Sequence, residues 1–387
     1  MLKLGYFDIC LLGYPSNLLH ALMSDCQILC GIDIGGSLIK CLCIVQGNSW
    51  DSSQFASSLA KYGDKAGSDF PTLSFIHSVG QFTGSIENKT FLFSLSSRVH
   101  GEVAEFIRIL SDAIRPCLMR SDVPSVRVGV TGGGGTKYRE MLDSAFDFSR
   151  IVYIEEMEAV AGGVSVALSM EGYDTNADFK LNGFESSWLL VNAGSGVSML
   201  KLDRVSCVAK RVFGSPLGGG TLLGLARCLF PEFESSVSGS YERLIELSAS
   251  GESSRIDFSL KDLEIATDHA LSVDWDPNTL AISFAKQLLG DESRQVCGVD
   301  VAQSLVRMIS YNMGNIACLV ADLNGCSTLV FSGKFVNRHQ PTVEAITKAI
   351  RFYEKWSSKD LGARKYNLVF LKHDGFVGCF GVLKQLK

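Results

Sequence analysis

Residues 28–45 read ILCGIDIGGSLIKCLCIV (Ile28–Val45). Two β-rich apolar runs flank a Gly-Gly step, which predicts a hairpin with an exposed turn, Asp33-Ile-Gly-Gly-Ser37. Glycine has no Cβ, so backbone N–H groups in such a turn can crowd around an anion. One glycine turn alone is as well explained by tight packing. The chain repeats the device, however. Thr131-Gly-Gly-Gly-Gly-Thr136 ends the apolar strand Val126–Thr131, and Asn192-Ala-Gly-Ser-Gly196 ends Trp188–Ala193. Leu217-Gly-Gly-Gly-Thr221 then opens a helix, and Ser332-Gly-Lys334 closes a late strand. A glycine turn that opens a helix adds the positive end of the helix dipole. Plain turns do not account for this series. Neither G-x-x-x-x-G-K-[ST] nor a G-x-G-x-x-G after the first strand is present, so the pattern points to a nucleotide-phosphate site of another kind.

Around these turns the chain alternates strands and helices. Leu73–Val79 and Thr90–Leu95 read as strands, and His100–Met119 has apolar residues at helical spacing. Helices are expected at Lys137–Phe146, Glu156–Met170, Tyr241–Ala249, Asn278–Leu289, Val299–Leu323, Val343–Trp356 and Gly378–Leu386, with strands at Ile151–Ile154, Val197–Leu202, Ser327–Phe331 and Leu368–Leu371. The order strand–turn–strand, helices, strand–glycines–helix occurs twice. That makes the chain α/β and two-part, without a literal sequence repeat. Asn48–Asp69 is a Ser-rich surface loop and Glu171–Ser186 a polar insertion.

Composition narrows the function classes. With 387 residues, 46% hydrophobic and 20% charged, the chain can bury large cores and is not a disordered protein. Its 36 basic and 41 acidic residues leave −5 without any block of like charge, which argues against a nucleic-acid surface. No apolar run reaches the ~18 residues of a membrane span. The twelve cysteines are scattered, with no C-x-x-C pair, so the expectation is a reducing compartment, the cytoplasm, and no structural metal. Residues 1–28 lack a basic opening and are expected to be a loosely ordered extension rather than a signal peptide.

GIDIGGSLIK (Gly31–Lys40), TGGGGTKY (Thr131–Tyr138), LLVNAGSGVSML (Leu189–Leu200), KRVFGSPLGGGTLLGL (Lys210–Leu225) and HDGFVGCFG (His373–Gly381) together resemble the eukaryotic-type, or type II, pantothenate kinases of the actin-like ATPase superfamily. The resemblance runs in order from about Gly31 onward. It implies a two-lobed, ribonuclease H-like α/β fold with a nucleotide cleft between lobes. Residues 29–138 would form the first lobe, completed by a helix within 374–387, and residues 139–373 the second. It further implies ATP and Mg²⁺ as cofactors, pantothenate as substrate, and coenzyme A or its acyl thioesters as feedback inhibitors. The assembly implied is a homodimer, a heteromer being the alternative. The long helix Val299–Leu323 carries apolar Leu305, Met308, Ile309, Met313, Ile316 and Val320 and would pair the protomers.

Individual residues acquire expected roles. Asp33 sits where a carboxylate can hold hydrated Mg²⁺ against phosphates, or fix the turn by an Asx hydrogen bond. The expected nucleotide contacts are Asp33, Gly35, Gly36, Ser37 and Lys40, then Gly194 and Ser195, then Gly218, Gly219, Gly220 and Thr221, and Gly333. Glu155, Glu156 and Glu158 suit a helix N-terminus on charge alone. The resemblance places Glu156 on the catalytic glutamate and Glu158 on a supporting acid, while a shift of one position would exchange Glu156 for Glu155. Arg211 matches the arginine that contacts substrate and the transferring phosphate, with a planar donor fork suited to anionic oxygens. Ser195, Ser198, Leu280 and Ala281 match pantothenate-contacting positions, the last two lent by the other protomer, and Trp356 matches an aromatic of the acyl-CoA pocket. The chain departs from the family pattern in Ser37 for threonine, Lys334 for asparagine, a loop before Arg211 one residue longer, and the 171–186 insertion. A catalytically silent regulatory subunit and a sugar kinase are the competing readings. Silent members lose the glutamate or the arginine, both of which stand here.

Overall fold

The computed structural model describes residues 28–35, 38–47, 72–83, 86–98, 103–118, 126–169, 174–175, 187–203, 208–230, 240–267, 276–289, 297–336, 339–357, 365–371 and 376–386. The expected N-terminal extension, Gly36, Ser37, the Ser-rich loop, most of the polar insertion and residues 372–375 lie outside the described residues. By contact density the chain divides into two units. The first holds the described residues through 169 and again 376–386, and the second holds nearly all of the rest.

In the first unit, strands β1 (Ile28–Ile34), β2 (Leu38–Gly47), β3 (Thr72–Thr83), β4 (Ile86–Arg98), β5 (Val126–Thr131) and β6 (Ile151–Tyr153) form one sheet in the order β3-β4-β2-β1-β5-β6. β1 pairs antiparallel with β2 and parallel with β5, and β5 pairs parallel with β6. Alternate residues of β1 enter different cores, which is the period of a strand buried on both faces. Ile28, Cys30, Ile32 and Ile34 pack with the helix Val103–Leu118, while Leu29 packs with the helices Glu156–Ser169 and Val377–Gln385.

Those last two helices cross at glycines. A Cβ on Gly163 would lie 1.8 Å from the Val377 carbonyl oxygen, and one on Gly381 would lie 1.6 Å from that of Ala159. Only glycine permits this backbone approach. The crossing also corrects the expected boundary after residue 138. β6 continues the first sheet and the helix Glu156–Ser169 packs on the closing helix, so the first unit extends well beyond that point.

The second unit repeats the topology. Strands β7 (Asp174–Thr175), β8 (Ser187–Ala193), β9 (Val197–Asp203), β10 (Ala209–Ser215), β13 (Thr328–Ser332) and β14 (Asn367–Phe370) run in the order β10-β9-β8-β13-β14-β7. β8 pairs antiparallel with β9 and parallel with β13, as β1 does with β2 and β5. The 27-residue helix Gly298–Asn324 ends at Gly325, whose φ of 67° forms a left-handed cap. Leu305, Ile309, Met313 and Val320 are buried in this unit's own core, with Met308 and Ile316 packed against it. The apolar stripe read as a pairing surface is therefore spent inside the unit, and the outward apolar residues of this helix are Leu319 and Leu323.

Two expected helices take another form. Asn278–Leu289 contains β12 (Leu280–Ile282), which pairs with β11 (Phe258–Ser259), followed by a 3₁₀ turn at Ala285–Leu289. Asp276 starts this departure by accepting a hydrogen bond from the Asn278 amide, and Phe284 at φ 61° interrupts any helical run. In the Thr131–Thr136 run the helix begins earlier than expected, inside the glycines at Gly133.

Candidate active site

Each unit carries part of the expected constellation at the ends of its central strands. In the first unit, Asp33 stands near the end of β1, opposite Lys40 on β2 and Thr131 on β5. Two glycines make room for its carboxylate. A Cβ on Gly378 would lie 2.7 Å from one carboxylate oxygen, and one on Gly132, at φ 84°, would lie 2.8 Å from the other. Burial pushes the Asp33 carboxyl above its ordinary range, and the Lys40 ammonium opposes that shift. The neighbouring Thr131 hydroxyl is buried and has no hydrogen-bond partner among the described residues. A desolvated carboxylate beside an unsatisfied hydroxyl, in a notch kept open by glycines, suits a hydrated divalent cation that restores both groups' solvation. Thr131 escaped the sequence reading because a threonine at a strand end gives no distinguishing signal.

Glu156 begins the helix that crosses the closing helix, and it is exposed, as are Glu155 and Glu158. The Glu155 carboxylate accepts the Glu158 amide at 2.9 Å, so Glu155 caps the helix by a hydrogen bond, beyond the favourable charge expected of the whole acidic cluster. This separates the two residues that a register shift would have exchanged.

In the second unit the Gly194-Ser195-Gly196 turn, the helix Gly219–Leu229 and the end of β13 converge. The Gly219 and Gly220 amides donate to the Gly194 and Ser195 carbonyls at 2.8 and 2.9 Å. These two amides therefore lock turn to helix, whereas the sequence reading had the glycine N–H groups facing an anion. Thr221 turns its hydroxyl to the Pro216 carbonyl at 2.6 Å. Gly333, at φ 99°, presses on Ala193, where an added Cβ would lie 2.3 Å from the carbonyl oxygen. Lys334 lies 5.9 Å over the Tyr241 ring, and Tyr241 also approaches Gly219 and the His339 ring. Tyr241 and His339 belong to this cluster, but sequence spacing does not connect them to it.

Arg211 is exposed on β10 and folds its guanidinium back over Gly214, where a Cβ would meet it at 2.7 Å. Ser195 is exposed in the turn, while Ser198 is half-buried on β9 opposite Asn192. Leu280 and Ala281 belong to a different, two-stranded sheet. Trp356 lies near the end of the helix Gln340–Ser357, half-exposed, with its ring 5.9 Å from Tyr353. These three residues are thus not on the glycine-turn cluster. Their chain neighbours Thr279 and Lys355 line a separate cavity of about 690 Å³ in the second unit.

Two sheets of ribonuclease H-like order in one chain, each with glycine turns at the ends of its central strands, define an actin-like ATPase fold. The family profile described as Fumble matches residues 29–385, and the chain belongs to this family, that of the type II pantothenate kinases. Among its relatives, pantothenate kinase 2 of Oryza sativa subsp. japonica is 29% identical over 90% of this chain and 37% of its own length. Pantothenate kinase of Schizosaccharomyces pombe is 26% identical over 92% of this chain and 81% of its own. A mouse protein named 4'-phosphopantetheine phosphatase is 28% identical over 70% and 32%. The chain thus spans little more than a third of the rice relative. Among the described residues, no helix is long and apolar enough to cross a membrane.

Proposed function

We propose that this chain is a pantothenate kinase, transferring the γ-phosphoryl group of ATP to the 4'-hydroxyl of pantothenate, the first step of coenzyme A synthesis. The observation that carries the reading is the family match across 29–385, in a chain whose Glu156 heads a glycine-anchored helix and whose Arg211 is retained. Glu156 accepts the proton as the hydroxyl oxygen bonds to phosphorus and the bond from phosphorus to the ADP oxygen breaks. Arg211 donates to the equatorial oxygens of the transferring group, where its planar fork stabilises charge that a point ammonium would hold less specifically. Asp33 and Thr131 would hold hydrated Mg²⁺, which supplies neutralisation of phosphate charge when bound. Lys40, opposite Asp33, adds positive charge on the same strand pair. Ser195 and Ser198 orient the acceptor, and Gly218–Gly220 with Gly333 hold the turn that borders the nucleotide. We assign the protein to the cytoplasm, as a homodimer in which Leu280 and Ala281 serve the other protomer's pantothenate pocket and Trp356 serves acyl-CoA feedback.

The test is Mg·ATP-dependent phosphorylation of pantothenate by the purified chain beside Glu156→Gln and Arg211→Lys. Turnover by the parent with a loss of about a hundredfold or more in Glu156→Gln supports the base. Arg211→Lys is expected to lose roughly 10–100-fold. No turnover by the parent, with acetyl-CoA still binding, would replace the proposal by a regulatory subunit; phosphorylation of N-acetylglucosamine alone would make it a sugar kinase.

A further inference from the structure

Three thiols meet in the first unit's core. Cys30 stands directly opposite Cys43 in the β1–β2 register, and Cys41 lies two residues from Cys43 on the same face. The sulfurs of Cys30 and Cys43 are 2.8 Å apart, those of Cys41 and Cys43 are 3.4 Å apart, and all three lie within 4.8 Å of one another. All three residues are fully buried, among Ile28, Ile32, Ile39, Phe106, Ile107 and Leu110. Cys379 belongs to the core on the other face of the sheet and supplies no fourth sulfur.

These surroundings select the ligand. A sulfur–ion length of about 2.3 Å places the sulfurs of one centre roughly 3.3–3.8 Å apart, which the Cys41–Cys43 separation already matches. The remaining adjustment is a small side-chain rotation at Cys30. A tris-thiolate of a monovalent ion carries two negative charges and that of a divalent ion one, whereas that of a trivalent ion is neutral. The apolar core around the described thiols penalises each uncompensated charge heavily. Structural zinc would also require a fourth ligand, and among the described residues the cluster has none.

We propose that Cys30, Cys41 and Cys43 form a binding site for a trivalent thiophilic metalloid of the arsenic(III) or antimony(III) class, held as a neutral tris-thiolate. With arsenous acid, three As–O bonds break and three As–S bonds form. Each thiol proton leaves with one hydroxyl group as water, and no atom changes oxidation state. Entry requires opening of the β1–β2 pairing, so loading is slow.

The experiment takes the full chain, reduced with a phosphine, incubates it with sodium arsenite, washes it with a monothiol and weighs it by native mass spectrometry. One retained arsenic with the loss of three hydrogens is expected, with X-ray absorption showing three sulfur neighbours. Exposed Cys228 and Cys297 offer single thiols, which the monothiol strips. Cys41→Ala should weaken retention by more than the roughly 10–100-fold typical of losing a supporting group around a metal, while Cys379→Ala, another buried thiol, retains it. Should Cys41→Ala fail to fold, the parent answers alone: bound arsenite must protect Cys30, Cys41 and Cys43 from alkylation in peptide maps. No retained arsenic, retention by folded Cys41→Ala, protection mapped elsewhere, or zinc retained equally well through the same wash would overturn the proposal. Every readout is independent of kinase turnover.

Discussion

Replacing Gly381 by alanine tests the helix crossing that fixes the first unit's half of the site. Its new Cβ would sit 1.6 Å from the Ala159 carbonyl oxygen, where carbon–oxygen contacts normally stand at about 3.3 Å. The two helices must therefore separate by more than about 1.5 Å, loosening the contacts of Phe380, Val382 and Leu383 with Val166 and Ile154. Overpacking costs ~1–3 kcal/mol, and because the obstacle is backbone rather than a movable side chain, about 3 kcal/mol is expected. Gly224→Ala is the matched control. Gly224 is exposed in the helix Gly219–Leu229 with no heavy atom within 4 Å of an added Cβ, so alanine there should stabilise by about 1 kcal/mol. Urea unfolding followed by circular dichroism reads both effects. Because Glu156 heads one of the crossing helices and Gly378 on the other borders Asp33, a displacement of that size should also lower turnover by about a hundredfold or more. If Gly381→Ala lies within about 1 kcal/mol of the parent, or the two substitutions act in the same direction, the packing argument is refuted.

Asp33→Asn should raise stability while abolishing Mg·ATP turnover. Burial raises the folded-state pKa above the unfolded one, so the folded chain holds the proton more tightly. Stability falls as pH climbs from the unfolded value through the folded one, so the variant's gain in Tm should be larger near pH 8 than near pH 4. Equal gains at both pH values would contradict this assignment. Asp322 accepts hydrogen bonds from the Tyr353 and Tyr366 hydroxyls at 2.8 and 2.5 Å, and burial, with Asp322 beside it, pushes the Tyr366 phenol upward. Asp322→Asn should cost ~1.5–3 kcal/mol in urea unfolding, and a loss below about 0.5 kcal/mol would show that the carboxylate's charge is not needed there.

The doubled β/α order could be read from the chain because apolar runs and glycine clusters alternate with little ambiguity. Asp33 and Gly378 illustrate what could not be read: their proximity depends on a helix distant in sequence docking on β1. The thiol cluster was hidden for a related reason. Cys41 and Cys43 are separated by one residue, yet Cys30 joins them only through the antiparallel register, which metal-spacing rules for loops do not cover. Asn278–Leu289 has helix-like apolar spacing, but its turn at Asp276 and pairing with Phe258–Ser259 prevail over propensity. The acidic cluster at 155–158 was legible as a helix start, while the division of labour within it required the Glu155 cap geometry.

The closing helix also sets a schedule for synthesis. The Cys379 thiol donates to the Lys40 carbonyl across 339 residues of chain, and the whole second unit is threaded between those points. Domains fold as units while the chain emerges, so the second unit has all its strands available before the first receives its last helix. Strands β1 and β2 are thus made before the second unit but finished after it. Until that helix arrives, Leu29, Leu42 and Ile44 lack half of their cover, with only the helix Glu156–Ser169 available to the apolar sheet face, which makes the nascent first unit a segment for a holding chaperone.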